Sequence, residues 1–234
     1  MLGKGAVRVI EDFLTTSRCE ELLEVVAKYR VHHDLPLIVR REQDRSLCYR
    51  VIDGEQIHRY LPQVEQLYLE TAKVARQVSG LDLAPLENRE ASVNVNITPV
   101  GGQYRWHYDR NAVTGILYLN QVSGGETEMY PGCRIYLGRY KDTIAQRWLD
   151  EISRHPFVLR LFSKKMCVTP RAGMLIVMQG DQCLHSVRAV ESGERINIVM
   201  AFDRPGASFA VQSHLDSYLY SRSAAPQFDP NYRE

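Results

Sequence analysis

The chain has 234 residues and a net charge of +1, with 44% hydrophobic and 24% charged residues. Balanced charge gives no general attraction to nucleic acid or anionic membranes, and no lysine–arginine run or base-stacking aromatic motif appears. A chain of this length buries roughly 70% of its unfolded surface, so its stability needs neither disulfide nor metal.

The first predicted element is a short apolar strand, Val7–Ile10. Ser17 and Glu20 form a capping box before the helix-period run Leu22, Leu23, Val25, Val26 and Tyr29. A polar, loop-like stretch covers 40–46. A second helix is predicted from about Ile57 to Val78, with Pro62 in its first turns and Gly80 as its stop. Residues 1–90 therefore read as a helical support with a short strand.

From Ala91 the period changes to two. Ser92 to Thr98 alternates polar and β-branched residues, as a half-buried strand does. Strands continue at Gln103–Asp109, Val113–Asn120, Glu126–Tyr130, Val158–Phe162, Met174–Met178 and Arg195–Phe202, separated by Gly, Pro and Asn turn signals. Many short strands with turns between them favour a β-sandwich or barrel. At about 132–156 an insertion interrupts them, with Ile144, Trp148, Leu149 and Ile152 at helical spacing. The expected layout is one domain: support over 1–90, β core over 91–203, and a tail over 204–234. Nothing resembling an apolar signal core precedes Glu11, and no stretch approaches a membrane span. Five scattered cysteines without a C-x-x-C pair (Cys19, Cys48, Cys133, Cys167, Cys183) read as reduced thiols, so a cytoplasmic protein is expected.

Three His-x-Asp triplets occur: His32-His33-Asp34, His107-Tyr108-Asp109 and His214-Leu215-Asp216. No histidine follows His214, and His32 ends a helical segment. His107 alone is embedded in alternating, strand-like sequence. Alternation puts His107 and Asp109 on one strand face, as two-point chelation requires, and turns Tyr108 away. An imidazole, a carboxylate and one distant imidazole can hold a divalent metal on a single face. The other positions stay open for a co-substrate and dioxygen, as in non-haem iron(II) oxygenases. The third ligand has two candidates, His185 and His155, each ten residues before a cation, Arg195 and Lys165 respectively. His155 ends the predicted helix of the insertion and precedes Pro156, a poor position for convergence on a strand site. His185 is preferred. Cys183, two residues before it, reads as a small buried strand residue. Arg195 suits a dicarboxylate bound to the metal at one end and gripped at the other.

The span from Asn94 to Asp203 resembles the prolyl-4-hydroxylase-like branch of the 2-oxoglutarate- and iron(II)-dependent oxygenases. Its segments match in order: Tyr104-Arg105-Trp106-His107-Tyr108-Asp109, Gly115 to Asn120, Ser123 to Thr127, and Pro170 to Gly173. Last comes His185-Ser186-Val187 with Val190, Gly193 and Arg195, closing on Phe202-Asp203. The resemblance implies a mainly β fold with flanking helices around a double-stranded β-helix core, a jelly roll of the cupin kind. It implies iron(II) on His107, Asp109 and His185, with 2-oxoglutarate as co-substrate and dioxygen as oxidant. Arg195 would pair with the distal carboxylate of 2-oxoglutarate and Tyr118 would hydrogen-bond it, although a strand tyrosine is equally a core aromatic. Tyr104 would line the pocket, with Asn96 or Thr98 facing the same cavity.

The implied reaction is dioxygenase hydroxylation of an unactivated C–H bond, releasing succinate and CO2. Related halogenases replace the metal carboxylate by a small residue, so Asp109 favours hydroxylation; desaturation or cyclisation would use the same ligands. Collagen-type relatives carry lysine where Arg195 stands. Arg105, Trp106, Arg110 and Arg188 fall near the expected mouth, and Arg134 and Arg139 fall in the insertion. Such cations suit a small amino-acid-like metabolite, with a peptidyl residue as the other substrate class. Two competing readings are a cupin-like protein that holds metal or organic acid without turnover, and a zinc hydrolase on a similar barrel.

Overall fold

Strand alternation in this chain separates two buried environments rather than core from solvent. A computed structural model describes residues 7–35, 37–40, 47–109, 111–134, 136, 144–154, 158–159 and 163–206. His155, Arg110, Arg139, His214 and nearly all of the predicted tail lie outside them.

The support begins with β1 (Val7–Ile10) and α1 (Thr16–His32), followed by β2 (Ile38–Arg40) and β3 (Leu47–Ile52). The cap of α1 differs from the expected box: Thr15 is the N-cap, and its hydroxyl accepts from Arg18 N–H. Ser17 lies one residue inside the helix, too late to cap it. The single helix expected at 57–78 is two, α2 (Gly54–Tyr60) and α3 (Pro62–Ser79), separated at Leu61 (φ −124°, ψ 62°). Pro62 has no N–H to extend α2 and drives its predecessor out of the helical region, yet it suits the first position of α3. Gly80 ends α3 as expected, at φ 69°. After β4 (Ala84–Pro85), the short α4 (Arg89–Ser92) leads into β5 (Val93–Thr98).

The core strands are β6 (Tyr104–His107), β7 (Val113–Tyr118), β8 (Ser123–Gly124) and β9 (Thr127–Tyr130). After helix α5 (Ile144–Arg154) come β10 (Met166–Val168), β11 (Leu175–Met178), β12 (Leu184–Val187), β13 (Val190–Ser192) and β14 (Arg195–Asp203). With the support strands they form two larger antiparallel sheets, ordered β1-β11-β7-β14-β5-β3-β2 (with β4 also on β14) and β10-β9-β12-β6, and β13 pairs with β8 in a small third sheet. Interleaving of β5, β7, β11 and β14 in one sheet with β6, β9, β10 and β12 in the other is the double-stranded β-helix expected from the sequence. Val158 and Leu159 are helical, which corrects the expected strand there. The insertion carries its helix as expected, but α5 turns Ile144, Trp148 and Ile152 outward, at 73%, 69% and 56% exposure.

Helices α1 and α3 cover the outer face of the larger sheet. Leu22, Val26, Val64, Leu67 and Ala72 pack with Val93, Val95, Ile97, Ile198 and Met200 in one cluster. Tyr68 stacks on Phe202 at 5.1 Å, donates to Ala201 C=O (2.7 Å) and accepts from Leu86 N–H (2.8 Å). With the odd residues of β5 so covered, its even residues Asn94, Asn96 and Thr98 face the interior between the sheets. The expected half-buried strand is thus covered on both sides. Among the described residues no helix is long and apolar enough to cross a membrane.

Candidate metal centre

Antiparallel pairing of β6 with β12 sets His107 directly opposite His185. Their rings lie 4.1 Å apart. Each imidazole is oriented by its own strand: His107 Nδ1 lies 2.9 Å from Arg105 C=O, and His185 Nδ1 lies 2.9 Å from Cys183 C=O. A carbonyl oxygen can only accept, so each Nδ1 carries the proton and each Nε2 keeps its lone pair. Both Nε2 atoms stand 3.5 Å from Asp109 Oδ1. Donors bonded to one ion at about 2.1 Å are separated by about 3.0–3.4 Å, so this spacing fits a shared metal. The three donor atoms all lie within 4.8 Å of one another, the one such His/Cys/Asp/Glu group among the described residues.

Asp109 reaches this position from outside the strand. β6 ends at His107, two residues earlier than alternation predicted, and Asp109 N–H donates to Gly180 C=O at 3.0 Å. Its second oxygen, Oδ2, accepts from Thr114 Oγ1 (2.5 Å), and Asn111 Nδ2 donates to Thr114 Oγ1 (2.9 Å) and Val113 C=O (2.6 Å). A side chain at Gly180 would meet Asp109 Oδ2 and Thr114 Oγ1 at 2.5 Å, so the carboxylate needs glycine beside it. Sequence reasoning missed Asn111, Thr114 and Gly180. The available signal was Thr114, a polar residue on the same strand face as Ile116 and Tyr118.

Arg195 opens β14 across from Thr98 and is 3% exposed. Its Nη1 donates to Asn197 Oδ1, its Nη2 donates to Thr127 Oγ1 (3.2 Å), and its Nε has no partner. A guanidinium carries five N–H donors, and none of these contacts neutralises its charge. The site therefore has the chemistry of an anion cradle. Tyr118 lies beneath, its ring 5.0 Å from the guanidinium carbon and its hydroxyl 2.6 Å from Thr127 Oγ1.

One cavity of about 150 Å³ joins both centres, lined by His107, Asp109, His185 and Arg195 with Tyr104, Asn96 and Thr98 among others. The ring of Tyr104 stands 4.7 Å from that of His107. Cys183 is buried with Ile116, Met129 and Met178, and burial pushes its thiol pKa well above the ordinary value. Its contribution to the centre is the carbonyl that orients His185. His33, from the first triplet, stacks on Tyr29 at 4.0 Å and joins no metal group among the described residues. Of the arginines expected near the mouth, Arg105 is buried and Arg188 pairs with Glu128 (3.0 Å), and neither is among the described lining residues of the cavity; Arg134, from the insertion, lies over the Tyr108 ring (4.8 Å).

The family model of the 2OG-Fe(II) oxygenase superfamily matches residues 93–203. No curated protein matches the chain. Among solved structures, the non-heme alpha ketoglutarate dependent epimerase SnoN from nogalamycin biosynthesis is 14% identical, with a TM-score of 0.67 over 91% of this chain and 85% of that one. A prolyl-4-hydroxylase from Pseudomonas putida is 22% identical, with a TM-score of 0.53 over 87% and 94%. HygX from Streptomyces hygroscopicus, with nickel, 2-oxoglutarate and hygromycin B bound, is 14% identical, with a TM-score of 0.58 over 87% and 84%. These likenesses are of fold, and the family match covers the strands that carry the metal group and Arg195. Residues 93–203 are a domain of the 2OG-Fe(II) oxygenase superfamily, and the protein that carries it is an Fe(II)- and 2-oxoglutarate-dependent enzyme.

Proposed function

We propose that this protein is a dioxygenase that hydroxylates an unactivated C–H bond of a small amino-acid-like metabolite or a peptidyl residue. The observation that carries the reading is the joining of His107, Asp109 and His185 to Arg195 in one cavity. His107 Nε2, Asp109 Oδ1 and His185 Nε2 are the iron ligands. They occupy one face and leave the other positions to co-substrate and dioxygen. Iron(II) held there would supply the oxidation: 2-oxoglutarate would lose CO2 and take one atom of dioxygen to become succinate, and the other atom would go to the substrate C–H bond.

The chain's own residues bind and position. Arg195 takes the distal carboxylate of 2-oxoglutarate on the donors that Asn197 and Thr127 leave free, and Tyr118 is the second group at that carboxylate. Tyr104 closes the wall beside His107 and keeps water from the reacting carbon. Hygromycin B bound to HygX supports a small molecule as substrate. The five cysteines are all free, which supports a reducing, cytoplasmic setting.

The test is turnover of 2-oxoglutarate against free amino acids and short peptides, with product mass recorded. Succinate release with a gain of one oxygen supports hydroxylation. Metal binding without succinate under any condition contradicts it and favours a non-catalytic binder.

A further inference from the structure

Asn94 is 8% exposed and lines the cavity, and its side-chain amide has no hydrogen-bond partner among the described residues. Its position can be read from strand register. Thr98, Asn96 and Asn94 share one face of β5, opposite Arg195, Asn197 and Val199 of β14. Each two-residue step is about 6.6 Å, so Asn94 lies about 13 Å along the strand from the row of Arg195. A five-carbon diacid anchored at Arg195 does not span that length. Thr114 pairs with Ala201, two residues beyond Val199, so Asn94 lies toward the Asp109–Thr114 end of the cavity. That is where a substrate would meet the metal group.

The charges on the described lining of the cavity are already committed. Among its described lining residues, only Asp109 and Arg195 carry full charges, and the imidazoles beside them are His107 and His185. Iron and 2-oxoglutarate use all four. The nearby cations Arg105, Arg134 and Arg188 do not line it. What the described lining leaves for a substrate is neutral hydrogen-bonding surface, including the amides of Asn94, Asn96 and Gln103. An ammonium or carboxylate entering here would lose water without gaining a counter-charge, whereas an amide offers both donor and acceptor to a neutral polar group.

We infer that the part of the substrate inside this cavity is uncharged and bears an amide or hydroxyl, and that Asn94 is the residue that reads it. This rests on the iron and 2-oxoglutarate reading above. It narrows the substrate classes: a free zwitterionic amino acid finds no counter-charge on the described lining beside Asn94, whereas a residue with blocked termini, or a neutral polyol, finds hydrogen-bonding partners there.

The test uses the protein loaded with Fe(II) and 2-oxoglutarate and measures succinate release with three probe sets. These are free L-amino acids, the same residues as N-acetyl amides, and methyl glycosides. Succinate formed without any probe reports the iron and 2-oxoglutarate reading by itself. The inference expects a neutral set to stimulate release about tenfold more than the zwitterions, and the responding set tells amide from hydroxyl. Zwitterions matching or exceeding the neutral probes, or no response to either neutral set, would overturn it. Asn94→Asp should shift selectivity about tenfold toward amine-bearing versions of the responding probe. A selectivity unmoved by that new charge would remove Asn94 from the role.

Discussion

Thr114 Oγ1 lies 2.5 Å from Asp109 Oδ2, and the direction of that bond is fixed by a third residue. Asn111 Nδ2 donates to the same hydroxyl, so the single hydroxyl proton of Thr114 goes to the carboxylate. Asp109 therefore has one oxygen held by protein and one facing both imidazoles. Such an arrangement would let Asp109 offer a bound metal one oxygen and no more.

Replacing that hydroxyl by a methyl group tests it. Thr114→Val should weaken Fe(II) binding by at least about tenfold, the usual scale for losing a group that orients a ligand. Anaerobic titration of Fe(II) checks this, and an unchanged affinity would show that Asp109 is positioned without Thr114.

Gly180→Ala acts on the same carboxylate through space rather than through a bond. Its Cβ would stand 2.5 Å from both Asp109 Oδ2 and Thr114 Oγ1, so the carboxylate must move. The expected results are a loss of about 1–3 kcal/mol in unfolding free energy and weaker Fe(II) binding. Denaturant unfolding and the same titration read the two effects, and wild-type values in both would contradict the crowding.

At the other end of the cavity, Arg195→Ala should raise the half-saturating 2-oxoglutarate concentration by about thirtyfold or more, since a buried carboxylate loses its charged partner. Arg195→Lys should recover part of this, because an ammonium restores the charge but not the fork of donors. Succinate release against 2-oxoglutarate concentration measures both. An unchanged requirement in Arg195→Ala would place the co-substrate elsewhere.

The fold makes its own prediction at Tyr68. Removing the hydroxyl in Tyr68→Phe takes a donor from Ala201 C=O and an acceptor from Leu86 N–H in a buried setting. The expected cost is about 1–3 kcal/mol by denaturant unfolding. A variant as stable as the wild type would show that those groups find other partners.

Legibility in the sequence followed the range of the physics involved. Strand β1 and the glycine stop of α3 depend on local pattern and were read directly. His107 stands apart from the other two triplets by its alternating surroundings, and the ordered segments from Tyr104 to Arg195 give it weight. Other expectations failed on close local competition: Thr15 caps α1 two residues before Ser17, and Pro62 splits a helix that periodicity alone continues. The partners of Asp109 were hidden for another reason. Gly180 meets Asp109 only after β11 has returned to the cavity, and no spacing rule encodes that contact. The inward row of Asn94, Asn96 and Thr98 was visible as alternation, but alternation cannot tell an interior cavity from solvent.

Stoichiometric Fe(II) binding under anaerobic conditions, in the wild type and in His107→Ala, Asp109→Ala and His185→Ala, tests the central assignment most directly. One Fe(II) per chain in the wild type, with tight binding lost in each folded variant, is the predicted result. Undiminished iron binding in any of the three would remove that residue from the centre.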